Sequence, residues 1–164
     1  MIKKITSVIL TVLALSFTAV AGNDNSRFTA NELSILLKSS YSGVGQYNGN
    51  ANAGASFFIT RNLGIEGDVQ VFNEKGTSID RVNLGGVLRY PIGFVAPYGR
   101  LGTSWNWQSD KFGGYASIGL EARPFNNRWG VFIQGDYAVS EVDSLNSVKN
   151  GDFGVSGGIR LVLF

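Results

Sequence analysis

The stretch ASIGLEARPFNNRWGVFIQGDYAV, residues 116–139, decides how this chain folds. Drawn out in extended form, it sends Ile118, Leu120 and Ala122 to one side and Ser117, Glu121 and Arg123 to the other. Beyond the short turn PFNNR, Val131, Ile133 and Val139 again share a parity, with Gln134 and Asp136 opposed. A period of two marks strands with two unlike faces. The hairpin alone leaves open which face meets water and which meets hydrocarbon.

The pattern repeats. From Leu33 onward the chain breaks into segments of about ten residues, divided by clusters of Gly, Asn, Asp, Ser and Pro. Eight strands are predicted, over 32–41, 49–59, 63–72, 80–92, 94–107, 112–125, 129–140 and 151–164. Thr60–Asn62, Ile92–Gly93 and Phe125–Arg128 are tight connections, and they alternate with mostly longer ones at 42–48, 73–79, 108–111 and 141–150. In an up-and-down antiparallel sheet all short turns, and both termini, then lie at one end and the longer loops at the other. The first strand has a competitor, because Thr29-Ala30-Asn31-Glu32 reads as a capping box and Leu33, Leu36 and Leu37 could line a helix. A strand is expected there, since seven strands would be an awkward number for closing an antiparallel sheet into a barrel.

The chain has 164 residues with 22 Gly, only 3 Pro, 12% aromatic and 16% charged residues, a balance that suits one sheet-rich domain and argues against disorder. Its start, MIKKITSVILTVLALSFTAVAG, has Lys3 and Lys4, an uncharged run from Ile5 to about Ala19, and Ala19-Val20-Ala21 as a small-x-small cleavage site. A signal peptide over 1–21 is expected. A membrane-anchoring helix is the alternative, but the run falls short of the roughly 20 apolar residues a spanning helix needs. Residues 22–31 are expected as a short periplasmic N-terminal segment and 32–164 as the barrel.

Removing the leader takes Lys3 and Lys4 from 14 basic residues and none from 12 acidic ones, leaving 12 of each. The sequence pI of about 9.0 therefore belongs largely to the leader, and no nucleic-acid partner is implied. Cysteine and histidine are both absent, which removes disulfides, thiolate chemistry, the usual zinc sites and a histidine base.

Two barrels fit the alternation, one soluble with the apolar row inside and one membrane-embedded with it outside. Three features favour the second. The charged rows carry many Gly and far more Arg than Lys, as a narrow lumen needs when tiny residues sit beside planar forks that bridge carboxylates. Aromatics gather near strand ends: Tyr41, Phe72, Trp105, Trp107, Phe112, Tyr137 and Phe153 towards the loops, and Phe57, Tyr90, Phe94, Phe125 and Trp129 towards the turns. That is the arrangement of two interfacial girdles. A closed sheet of even strand number also leaves no unpaired edge in lipid. The expected fold class is thus all-β, an eight-stranded antiparallel up-and-down transmembrane β-barrel.

Over residues 32–164 the chain resembles the small eight-stranded outer-membrane barrels of the OmpA/OmpX kind. The resemblance is carried by TRNLGIEGDVQVF (60–72), VAPYGRLGTSW (95–105), GYASIGLEARPFNNRWGVFIQGDY (114–137) and the C-terminal SGGIRLVLF (156–164). It implies periplasmic tight turns, extracellular longer loops, outer-membrane lipid as surroundings, and recognition of the last strand by the barrel assembly machinery. In that family the terminal aromatic falls in the lipid-facing phase, whereas here Ile159, Leu161 and Leu163 hold it and Phe164 is one residue out.

The predicted lumen network is Lys38, Glu66, Asp68, Arg81, Arg89, Arg100, Glu121, Arg123, Asp136 and Arg160. Glu66 and Asp68, two apart on one face, could form an acid pair for hydrolysis or a cation site. The many arginines on the same rows favour charge neutralisation instead, because an unpaired buried charge is costly. Gly154–Gly158 lacks the features of a phosphate loop, and Asp143, Asn146, Asn150 and Asp152 match no calcium-loop spacing. No enzyme, cofactor or metal is expected. The expected function is a structural or surface-interaction barrel with a side-chain-filled lumen and a possible extracellular partner at the loops, where Tyr47, Asn48, Asn73, Lys75, Asp110, Lys111 and Lys149 are candidates. Alternatives are a narrow channel for small solutes and a soluble periplasmic barrel holding an apolar ligand.

Overall fold

The computed structural model describes residues 26–42, 48–72, 81–107, 110–139 and 151–164, with only the backbone at some strand ends. The predicted signal segment 1–21 lies outside the described residues, as do Tyr47, Asn73, Lys75 and Lys149. Tyr41, Asn48, Phe72 and Lys111 are described through their backbone alone.

Eight strands form the molecule: β1 Glu32–Ser42, β2 Asn48–Phe58, β3 Leu63–Phe72, β4 Arg81–Arg89, β5 Val95–Asn106, β6 Lys111–Ala122, β7 Trp129–Val139 and β8 Gly151–Val162. Each pairs antiparallel with its sequence neighbours, and β1 pairs with β8, so the sheet closes on itself. The seam runs from Ser34↔Val162 to Ser42↔Gly154 and continues past the end of β8, where Leu33 N donates to Phe164 O and Leu163 N to Leu33 O. The competing helix over 29–38 is not formed. Closure satisfies the backbone donors and acceptors that an open edge would leave unpaired.

The turns follow their residues. Gly93 takes φ 62 between Ile92 and Val95, which form an isolated bridge. Thr60 Oγ1 accepts from the amides of Asn62 and Leu63, and Asn126 Oδ1 from those of Arg128 and Trp129, the side-chain turns that Thr and Asn make when they cap a change of direction. β4 and β6 stop at Arg89 and Ala122, short of the predicted 92 and 125. Pro91 and Pro124 have no N–H to continue the ladder.

The strands' two rows differ sharply in surroundings. Ile35, Leu37, Ile65, Leu84, Leu101, Ile118, Leu120, Val131, Ile133, Val155 and Ile159 are exposed on the outside. Inside, the buried apolar cluster is small, comprising Leu36, Phe58, Val87, Tyr98 and Phe132, and buried polar and charged residues outnumber it.

Candidate functional site

Among the described residues, charged groups converge in the lumen. Glu32, the first residue of β1, lies between two guanidiniums: Arg89 Nη1 on β4 donates at 2.9 Å and Arg123 Nη2, just past β6, at 2.6 Å. Arg123 Nε then reaches Glu121 at 2.8 Å, and the other oxygen of Glu121 faces Arg160 Nε at 3.1 Å. Arg160 Nη2 meets Glu66 at 2.8 Å, Glu66 meets Arg100 Nη1 at 3.2 Å, Arg100 Nη2 meets Asp68 at 2.7 Å, and Asp68 meets Lys38 Nζ at 3.1 Å. Among the described residues the result is one unbranched chain of alternating sign, Arg89–Glu32–Arg123–Glu121–Arg160–Glu66–Arg100–Asp68–Lys38, drawn from β1, β3, β4, β5, β6, β8 and the turn after β6. Every member is buried.

Its order has a physical reason. A buried ion costs several kcal/mol of lost hydration unless its partners and hydrogen bonds replace the water. Alternation gives each interior ion two neighbours of opposite sign, and several further donors find oxygens: Arg89 Nε donates to Arg61 O, Arg100 Nη2 approaches Glu66 O, and Arg160 Nη1 donates to the hydroxyls of Ser34 and Ser56, while Arg100 Nε is buried without an acceptor among the described residues. Asp68 also accepts from Asn52 and Asn83.

Of the predicted network, Lys38, Glu66, Asp68, Arg89, Arg100, Glu121, Arg123 and Arg160 lie in this chain. Arg81 is half-buried at the start of β4 and takes no part in the ion pairs among the described residues. Asp136 faces inward yet is held by neutral donors, Ser117 Oγ and Gln134 Nε2 at 2.6 Å and Ser156 Oγ at 2.5 Å. Tyr98 OH supports that group by donating to Gln134 Oε1. Sequence reasoning missed Glu32, whose spacing from Thr29 looked like a helix cap. Glu32 Oε2 does accept from Thr29 N, at 3.4 Å, but in a turn that enters a strand.

The inward aromatics were missed as well, and they follow a rule. Phe58, Tyr98, Tyr115 and Phe132 each sit directly opposite an inward glycine on the next strand, in the pairs Phe58↔Gly64, Tyr98↔Gly119, Tyr115↔Gly102 and Phe132↔Gly158. Each ring lies over its glycine so closely that a Cβ there would stand 2.7 Å from Phe58 Cδ1, Tyr98 Cζ or the Tyr115 hydroxyl, or 2.9 Å from Phe132 Cζ. Three of these rings have a guanidinium near the ring: Arg89 is 3.5 Å from the Phe58 centroid, Arg100 4.5 Å from Tyr115 and Arg160 6.0 Å from Phe132. Glycine makes room for a ring, the ring faces a cation, and the cation joins the ion-pair chain.

The expected girdle residues whose side chains are described lie at the two ends of the outer surface. Trp107, Phe112, Tyr137 and Phe153 are exposed near the loops, with Trp105 half-buried there, stacked on Phe112 at 5.7 Å and tilted on Trp107 at 4.4 Å. Trp105 Nε1 donates to Asp110, which ties that loop residue down. Tyr90, Phe94, Phe125 and Trp129 are exposed near the turns, with Phe57 half-buried among them. The described residues contain no cluster of acidic side chains able to hold a metal ion.

No protein-family model matches the chain, and no curated protein matches it. Among solved structures, a designed transmembrane β-barrel aligns with a TM-score of 0.63 and 15% identity, over 82% of this chain and 97% of that one. A second designed barrel, solved in solution, aligns at 0.60 and 14% identity over 83% and 97%. The N-terminal β-barrel domain of OprF from Pseudomonas aeruginosa aligns at 0.58 and 12% identity over 82% and 99%. At such identities the likeness is one of fold. The chain folds as a closed eight-stranded barrel of the transmembrane kind, the fold that the resemblance to small outer-membrane barrels implies.

Proposed function

We propose that this protein is a non-enzymatic barrel of a Gram-negative outer membrane, with a structural or surface-interaction role and a lumen filled by side chains. One observation carries the reading: polarity is inverted. Arg89, Arg123 and Glu32 are at most 2% exposed, while Ile118, Leu101 and Ile133 are 77%, 68% and 60% exposed. A soluble protein with so continuous an apolar exterior would associate or precipitate, whereas hydrocarbon is the solvent in which that surface is stable. Strands of 9 to 12 residues suit a tilted crossing, and the two exterior aromatic belts suit the headgroup levels.

The filled lumen supports a structural role over a narrow channel, because eight strands enclose little more than side-chain volume. The charged interior argues against a soluble barrel that binds an apolar ligand. With no His or Cys in the chain, and with the lumen carboxylates committed to arginines, lysine and neutral donors, the reading includes no catalysis and no cofactor. Outer-membrane lipid and the assembly machinery are its expected partners, and the loops its expected surface for any extracellular one.

Cell fractionation tests the placement. Recovery in the outer membrane with heat-modifiable gel mobility is expected, and recovery in osmotic-shock fluid without detergent would overturn it. Planar-bilayer recording tests the filled lumen. Purified protein is expected to give little or no conductance, and stable large openings would favour the channel.

A further inference from the structure

Residues 26–31 stand outside the ring of strands, which closes without them, yet they are folded into its turn end. Phe28 is 0% exposed. Its ring lies 4.2 Å from the Arg123 guanidinium and 5.0 Å from that of Arg89. The backbone around it is fastened on several sides. Arg27 N donates to Gly93 O in the β4–β5 turn at 3.2 Å. Arg27 Nη1 donates to Arg123 O at 2.5 Å, and Arg123 Nη1 returns a bond to Arg27 O at 3.1 Å. Arg89 Nη2 donates to Thr29 O at 3.1 Å.

We propose that Ser26–Asn31 is a built-in stopper, seated in the turn end of the barrel by Arg89, Arg123 and Glu32, that seals the lumen from that side. The proposal goes beyond the function above, since the ion-pair chain fills the lumen whether or not its mouth is sealed. The two guanidiniums at that mouth have their carboxylate partner in Glu32 but would present their faces to water; Phe28 covers them with a ring whose quadrupole suits a cation. Glu32 is both the first residue of β1 and the acceptor for Arg89 and Arg123, so the seat exists only once β1, β4 and β6 are in place. Seating therefore accompanies ring closure and not the formation of any single hairpin.

The chain contains no cysteine, so one introduced thiol reports without background. Ser34 is buried in the lumen two residues beyond Glu32. In barrels purified in detergent, a Ser34→Cys thiol is expected to resist a charged, water-soluble thiol reagent, and adding Phe28→Ala is expected to speed labelling by about tenfold while heat-modifiable mobility persists. Labelling unchanged by Phe28→Ala in a folded barrel would overturn the stopper. Should Phe28→Ala fail to fold, hydrogen exchange on the unaltered protein decides. The Arg27 amide, bonded to Gly93 O, is expected to exchange about a hundredfold more slowly than an unstructured amide, and free exchange there would overturn the proposal.

Discussion

Glu32 and Asp136 are both inward carboxylates, and the difference in their partners fixes what each contributes. Glu32 separates two buried guanidiniums, with contacts of 2.6 and 2.9 Å. Glu32→Gln removes the anion between Arg89 and Arg123, leaving Arg123 with Glu121 alone and Arg89 with no ion-pair partner among the described residues, and removing one partner of a buried pair costs about 3–5 kcal/mol. Asp136→Asn should cost only about 1 kcal/mol, because its partners are two hydroxyls and an amide that an amide can also satisfy. Urea unfolding in lipid vesicles measures both, and equal losses would mean that the ion-pair chain is not what holds the turn end together. At this scale the sequence was half readable. The arginines and acids stand out on the inward rows by parity alone, but Glu32 does not, since its bond to Thr29 belongs equally to a helix cap. Asn31, at φ 55, turns the chain so that a strand begins instead, and the arginines that select that outcome lie 57 and 91 residues away.

Among the elements, alternation marks all eight strands, and β3 runs between its predicted ends, Leu63 and Phe72. Ends were less legible where Pro91 and Pro124 interrupt rows that remain apolar. The interior rings were illegible for a different reason. A lone Phe132 or Tyr98 in a polar row has no meaning until register places Gly158 or Gly119 opposite, and register is a property of two strands together. This pairing separates two kinds of glycine. Gly93 needs its positive φ and has open space around it, so Gly93→Ala should cost about 1 kcal/mol through backbone conformation alone. Gly119→Ala puts a methyl 2.7 Å from Tyr98 Cζ and 2.6 Å from Ile133 O. It must displace the ring that holds Gln134, and an overpacked site of this kind costs about 1–3 kcal/mol. Adding Tyr98→Ala should recover part of the Gly119→Ala loss and none of the Gly93→Ala loss. A double-mutant cycle with no coupling between positions 98 and 119 would refute the ring-over-glycine account.

For the molecule as a whole, the closed ring fixes both faces at once, so one substitution on the outer face can ask which solvent the fold requires. Ile118 suits the purpose. It lies within β6, is 77% exposed, and is flanked by Gly99 on β5 and Gly135 on β7, so its side chain stands clear of neighbours that a larger residue would crowd. In water, Ile118→Arg at so exposed a site would change stability by no more than about 0.5 kcal/mol, as surface substitutions usually do. In lipid the guanidinium would be placed in hydrocarbon, at a cost of about 2–4 kcal/mol near the midplane. The same change at Trp129, in the turn-end belt, should cost only about 0–1 kcal/mol for its charge, since depth falls away towards the interface, with lost ring contacts adding to that. Unfolding of both variants in lipid vesicles therefore reads depth directly. A penalty at Ile118 clearly above that at Trp129 is the expected result, and a negligible one at Ile118 would mean that hydrocarbon is not what the outer row faces.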